Sequence, residues 1–237
     1  MQKIMFNDRY GLTQAVIEGR KTMTRRLINP MPKDCAAVHK NCWGAYWSDK
    51  PMSLVVDRDI GGIYCEYCGN GVRLHDRGYH YKTKYKVGDV VAVAQGYSTI
   101  AAGHPDVYTL LPQVVKAHKI SIESVHDLAG WNNKMFTKAE LMPHQIRITG
   151  IKCERLRDIS DEDCIKEGIF VNEYVGKGKK CHHYGFDGFF NEAAGWFARG
   201  WYNTPREAFA ILIDKVSGRG TWERNPWVVV YEFELVK

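Results

Sequence analysis

At 237 residues, 45% hydrophobic and 25% charged, the chain has enough apolar surface to bury a sizeable core, and these values exclude wholesale disorder. No apolar run approaches the roughly 20 residues a membrane-spanning helix requires, and Met1–Tyr10 lacks the charged-then-apolar layout of a secretory signal, so a soluble, cytoplasmic protein is expected. The net charge of +6 is modest for this length, which shifts the question from how much charge there is to where it lies.

Leu12, Ala15, Val16 and Gly19 fall at i, i+3, i+4 and i+7, so residues 10–20 are expected to form a helix with one buried stripe, ended by Gly19. Four basic residues follow, Arg20, Lys21, Arg25 and Arg26, just past a helix C-terminus where the macrodipole favours cations. Capping that helix end is therefore one expectation for Lys21 and Arg26. Smaller basic groups stand at Lys82, Lys84 and Lys86 and at Lys177, Lys179 and Lys180.

From about 29 to 85 the chain is punctuated by Pro30, Pro32, Pro51, Gly61, Gly62, Gly69 and Gly71, which marks an insertion poor in regular structure. Within it, Cys65-Glu66-Tyr67-Cys68-Gly69 has the shape of half a zinc knuckle, because two thiolates on one tight turn can reach the same tetrahedral ion. Cys35 and Cys42 could complete a structural zinc site with Cys65 and Cys68, with His39, His75 or His80 as substitutes; free thiols are the competing expectation. The seven cysteines, an odd number, argue against a secreted disulfide framework.

Lys86-Val87-Gly88-Asp89 is a turn signal and Val90–Val93 an apolar run suited to a buried strand. A second insertion of helical and loop fragments is expected over about 97–143. Ile146, Ile148 and, after Gly150, Ile151 predict a strand with one buried face. Ser160 reads as the N-cap of a short helix, with Ile159 and Cys164 as a hydrophobic staple and Gly168 as its end. Glu167 then falls in the last turn, where the dipole disfavours a carboxylate unless a partner holds it.

Cys181-His182-His183 is expected in an exposed loop. The aromatic residues Tyr184, Phe186, Phe189, Phe190, Trp196, Phe197, Trp201 and Tyr202 are expected to fill core, with base stacking as the alternative. Thr204-Pro205-Arg206-Glu207 combines a capping box with proline at N1, opening a helix whose stripe is Phe209, Leu212, Ile213 and Val216 and whose end is Gly218. Alternation over Trp227–Val236 predicts a final strand. Short helices among strands without βαβ spacing favour an α+β fold, which a compact barrel fits.

Gly19-Arg20-Lys21-Thr22-Met23-Thr24-Arg25-Arg26 resembles the signature of the ASCH domain family, with Gly19, Lys21 and Arg26 at its marked positions. Threonine at Thr24, where the family often has glutamate, is similar to its small bacterial amidohydrolase branch. Val87-Gly88-Asp89, Leu156-Arg157-Asp158-Ile159-Ser160 leading into Glu167-Gly168, and Asn225-Pro226-Trp227-Val228 resemble the long phage and prophage ASCH proteins, whose Arg-Glu pair is replaced here by Ala94 and Gln95. The resemblance implies a PUA-like β-barrel as a single domain over 1–237, interrupted by the two insertions. It implies a cleft lined by Arg20, Lys21, Arg25 and Arg26 that takes RNA or a modified nucleoside. Carried over from the branch that deacetylates acetylated cytidine, it implies Thr24 as nucleophile, Lys21 as its base and Glu167 as proton relay, with no cofactor needed for catalysis. RNA cleavage and a phage–host interaction role are the further alternatives.

Overall fold

The computed structural model describes residues 1–28, 54–56, 62–65, 81–103, 107–176, 179–188 and 202–236. In chain order the elements are β1 (Gln2–Ile4), α1 (Leu12–Ile17), β2 (Met23–Leu27), β3 (Leu54–Val56), β4 (Gly62–Cys65), β5 (Tyr81–Lys82) and β6 (Val90–Val93). They continue as α2 (Tyr97–Gly103), α3 (Val107–His118), α4 (Ala129–Asn132), β7 (Gln145–Arg155) and α5 (Asp161–Lys166). The last are β8 (Phe170–Gly176), β9 (Lys179–Gly185), α6 (Pro205–Ser217), α7 (Thr221–Arg224) and β10 (Trp227–Leu235).

Five strands make the main sheet in the order β1-β6-β7-β10-β2, parallel between β1 and β6 and antiparallel elsewhere. The architecture is α+β. Strands β1 and β2 are the edges, and among the described residues no ladder closes one onto the other. A side chain spans the gap instead: Arg26 Nη2 on β2 donates to the Met5 carbonyl, just past β1, at 2.5 Å.

Strand β10 is the hub, pairing β7 on one side and β2 on the other, with Tyr231 opposite both Ile151 and Thr24. Its expected alternation holds only beyond Tyr231, where Glu232 and Glu234 are exposed. Trp227 to Tyr231 are buried without a break, because this half of the strand carries core on both faces. In β7 the spacing from Ile148 to Ile151 is odd, yet all of Ile146, Ile148 and Ile151 are buried. The register shift opposite Glu232 and Phe233 explains this, since one extra residue on β7 returns Ile151 to the inward face.

The helix caps follow the sequence reading. Ser160 accepts from Asp163 N and Thr204 from Glu207 N, and Gly168 and Gly218 end α5 and α6 at φ +105° and +100°. Residues 97–103 and 107–143 form a helical lobe with its own core of Tyr97, Ile100, Leu110, Val114 and Val125, seated on Ala92 of β6. Lys3 reaches back into this lobe, donating to the Met135 carbonyl at 2.8 Å.

The described part of 29–85 includes a small antiparallel sheet, β3-β4-β5. Cys181, His182 and His183 lie in β9, paired with β8, and not in a loop. The β-favouring Val171, Tyr174 and Val175 of β8 provide a strand for them to pair with, a partner that reading the Cys-His-His triplet alone did not reveal. Phe186 is buried and stacks on Tyr202 at 6.3 Å and 8°, so these aromatics are core; Phe189, Phe190, Trp196, Phe197 and Trp201 lie outside the described residues. Among the described residues no helix is long and apolar enough to cross a membrane.

Candidate functional site

The basic segment becomes the free edge of the sheet. Gly19, at φ +72°, turns the chain out of α1, and Lys21 N then donates to the Ala15 carbonyl while Thr22 N donates to the Lys166 carbonyl, both at 2.9 Å. The second bond docks the start of β2 onto the end of α5, beside Glu167. The Lys21 side chain turns away from α1 and into this junction.

Lys21 is 2% exposed, and its Nζ donates to the Met23 carbonyl at 2.7 Å, to the Glu167 carbonyl at 2.7 Å and to Glu167 Oε2 at 2.6 Å. Three donors meet three acceptors, which is the complement of an ammonium group. Burial pushes the Lys21 pKa down from its ordinary value; Glu167 opposes that, and Arg26 and Arg25 add to the lowering. The partner expected for Glu167 is thus Lys21, joined by Arg25, whose Nη1 donates to Glu167 Oε1 at 3.1 Å.

Arg25 is held still more fully. Its Nε and Nη2 donate to Glu154 Oε1 at 2.9 and 2.6 Å, and Nη2 also reaches Asp163 Oδ2 at 2.9 Å. Lys152 completes the group at 2.9 Å from Glu154 Oε2. Register explains the reach: Arg25 is level with Val230 and Lys152, so its side chain crosses the α5-bearing face of β10 toward β7. Glu154, Asp163 and Lys152 were not anticipated. One signal was present, since Asp163 and Glu167 are four residues apart on one helix face.

The remaining cations differ. Arg20 is exposed and pairs with Glu18 at 2.5 Å, away from the cavity. Arg26 shares the opposite face of β2 with Thr24, sits 5.6 Å from the Phe6 ring centroid, and has no carboxylate at ion-pair distance among the described residues. Against the free edge of β2 lies a cavity of 220 Å³ whose lining includes Phe6, Lys21, Thr24, Arg25, Arg26 and Glu167, backed by Phe209, Leu212 and Ile213 of α6. Because β2 is an edge strand, this cavity receives residues from both of its faces. Thr24 is buried there, and its hydroxyl makes no hydrogen bond among the described residues.

Three of the four cations foreseen as a cleft lining, Lys21, Arg25 and Arg26, do line one cavity, and with them the foreseen trio of Lys21, Thr24 and Glu167. Lys21 and Arg25 are neutralised by carboxylates, however, so the site is a compact ion-pair floor rather than a positive groove. Cys35, Cys42 and Cys68, with His39, His75 and His80, lie outside the described residues; Cys65 ends β4, its side chain also outside them. Burial pushes the Cys153 and Cys164 thiols up to about 12, which makes them poor nucleophiles at neutral pH.

Comparison with family models, with curated proteins and with solved structures finds no match.

A pH dependence follows from Asp163. Burial raises its pKa, but hydrogen bonding to Arg25 and the charge of Lys152 outweigh it and hold the carboxyl below the usual range. A depressed carboxylate binds protons less readily folded than unfolded. Its contribution is present above the unfolded value of about 3.9 and is lost as pH falls through the folded one. Urea unfolding at stepped pH should show stability falling below about pH 4, with a shallower fall in Asp163→Asn; an unchanged slope in that variant would remove Asp163 from the network.

Proposed function

We propose that the cavity beside β2 binds a modified pyrimidine nucleoside and that Lys21, Thr24 and Glu167 hydrolyse an acyl amide on its base. The observation that carries this reading is the 2.6 Å contact between Lys21 Nζ and Glu167 Oε2 in a cavity that Thr24 also lines, its hydroxyl without a hydrogen bond among the described residues. Lys21 first gives a proton to Glu167 across that contact; Thr24 Oγ1 then attacks the acyl carbonyl as the Lys21 amine takes its proton, Glu167 gives its own proton to the departing amine nitrogen, and water releases the acyl group from Thr24 as a carboxylate. The short contact supports a relay, and burial of Lys21 favours the amine form the base needs.

The proposal includes membership of the ASCH family and a PUA-like barrel. The four resembling segments all border the main sheet, which supports it. Thr22 bonds Lys166, Leu156 N donates to the Pro226 carbonyl and Gly88 N to the Ile148 carbonyl, at 2.9, 2.9 and 2.8 Å. The Arg26–Met5 bond across the β1–β2 gap supports a sheet curled toward closure. RNA binding along an open cationic groove is the weaker reading, because Lys21 and Arg25 are committed to carboxylates and phosphate affinity needs cations free to replace counterions.

Incubating the chain with N4-acetylcytidine and, separately, with end-labelled RNA tests the alternatives. Acetate release that Lys21→Ala and Thr24→Val abolish and Thr24→Ser retains is the expected result. Shortened RNA would replace the proposal with a nuclease, and salt-sensitive retention of intact RNA with no acetate would replace it with a binding protein. Neither product nor retention would leave an interaction role.

A further inference from the structure

A second, larger cavity lies on the other side of Arg26. It measures 310 Å³ and shares Arg26 and Leu27 with the first. Its polar lining consists of Arg26, Thr83, Lys84, Tyr85 and Tyr231, set among apolar residues such as Ile28, Ile63 and Val229. Nothing in the hydrolysis described above uses it.

Four features of this lining point to one kind of ligand. Arg26 and Lys84 both carry positive charge and, among the described residues, neither has a carboxylate at ion-pair distance, unlike Lys21 and Arg25. The Thr83 hydroxyl is buried and, among the described residues, has no hydrogen-bond partner, a state that costs free energy unless a ligand or water satisfies it. Lys84 is fixed by its own backbone, whose N–H donates to the Tyr231 hydroxyl at 3.0 Å, and its Nζ sits 5.3 Å from the Tyr85 ring centroid. Tyr85 and Tyr231 meet edge to face at 5.3 Å and form an aromatic wall beside these donors. Burial pushes the Tyr85 hydroxyl up to about 12 and raises Tyr231, so neither ring oxygen is an anion at neutral pH. Two uncommitted cations, one rotating hydroxyl donor and a flat apolar wall complement a tetrahedral oxyanion attached to an organic group.

We propose that this cavity holds the phosphate of a nucleoside phosphate ester, with Arg26 between the base subsite and the phosphate subsite, so that a nucleotide or the terminus of a strand binds in preference to a free nucleoside. This substrate class rests on the nucleoside reading of the smaller cavity; the anion subsite itself does not. Arg26 is suited to the intermediate position because its fork keeps donors to spare after Nη2 is bonded to Met5. Lys84, exposed at the rim, supplies the second charge.

The test is calorimetric titration of the full chain with cytidine, its 5′- and 3′-monophosphates, a short oligoribonucleotide and inorganic phosphate. It uses the wild type, Lys84→Ala, Thr83→Val and Arg26→Gln. One of the monophosphates is expected to bind roughly tenfold tighter than cytidine, the effect of one charge-assisted hydrogen bond to phosphate. Lys84→Ala should weaken that monophosphate several-fold more than it weakens cytidine. Because Lys84 is exposed, this variant reports even if Arg26→Gln fails to fold. The preferred ester tells a mononucleotide from a strand end. Equal affinity for cytidine and both monophosphates, or a preference that Lys84→Ala and Thr83→Val leave intact, overturns the phosphate subsite while the nucleoside reading stands. Binding of phosphate or nucleotide that Lys84→Ala weakens, with no cytidine binding or hydrolysis, keeps the anion subsite and overturns the nucleoside reading. Failure of every ligand to bind overturns both.

Discussion

Arg25→Met should cost the fold about 3–5 kcal/mol, the penalty for breaking a buried ion pair by removing one partner. The Arg25 side chain is 1% exposed and its guanidinium touches Glu154, Asp163 and Glu167, whose side chains are at most 15% exposed. Deleting it leaves three carboxylates close together, Glu154 and Asp163 sharing Lys152 and Glu167 keeping Lys21, and all of them short of a donor. Repulsion then adds to desolvation, which is why the effect belongs at the upper end of single substitutions. With a chain of this length, a loss of that size lowers Tm by about 6–20 °C. Arg25→Lys keeps a point charge but cannot reach three carboxylates from one planar fork, so it should fall between the two. Arg20→Ala, removing an exposed pair with Glu18, should change stability by less than about 1 kcal/mol. Urea denaturation of the four proteins checks this; if Arg25→Met and Arg20→Ala proved equally mild, the network would have no structural role.

That contrast between Arg20 and Arg25 also marks the limit of local information in the sequence. Period and capping located α1, α5, α6, β6 and β10, because each depends on local spacing and on residues such as Ser160, Gly168 and Thr204 that act within one turn. A carboxylate at a helix C-terminus is a local inconsistency, and at Glu167 it implies a partner without identifying it. Which of four neighbouring cations would be that partner depends on the side of an edge strand each occupies. Alternation assigns Arg25 and Arg26 to opposite faces of β2 but says nothing of what lies beyond either face. Glu154 is 129 residues from Arg25 along the chain, brought near only because β10 inserts between β2 and β7. Likewise the β8–β9 pairing that absorbs Cys181-His182-His183 was hidden, since the triplet reads as polar and its partner strand had to be recognised first. The proposed barrel, by contrast, was inferred from resemblance, and only its α+β class can be traced to the pattern of elements.

The pair at the centre of the site should behave oppositely when removed singly and together. Lys21→Met leaves a Glu167 carboxylate buried with Arg25 as its remaining cation; Glu167→Leu leaves a buried ammonium with only two backbone carbonyls. Each should cost about 3–5 kcal/mol. The double variant replaces the ion pair by apolar side chains beside Phe6, Phe209 and Leu212, which already line that cavity. Its cost should be smaller than the sum of the singles by about 2 kcal/mol or more, since neither charge is left alone. Costs adding to within about 0.5 kcal/mol would mean the two groups do not interact, and the 2.6 Å contact would lose its significance. Comparing stability with acetate release then separates two reasons for burying the pair. If it serves only to lock α5 against β2, the folded double variant should keep whatever activity the chain has. If Lys21 and Glu167 move the proton of Thr24, the double variant folds and releases no acetate. The expected outcome is the second: a well-packed, cooperative and inactive protein, because an apolar floor can replace the packing of the ion pair but cannot accept a proton.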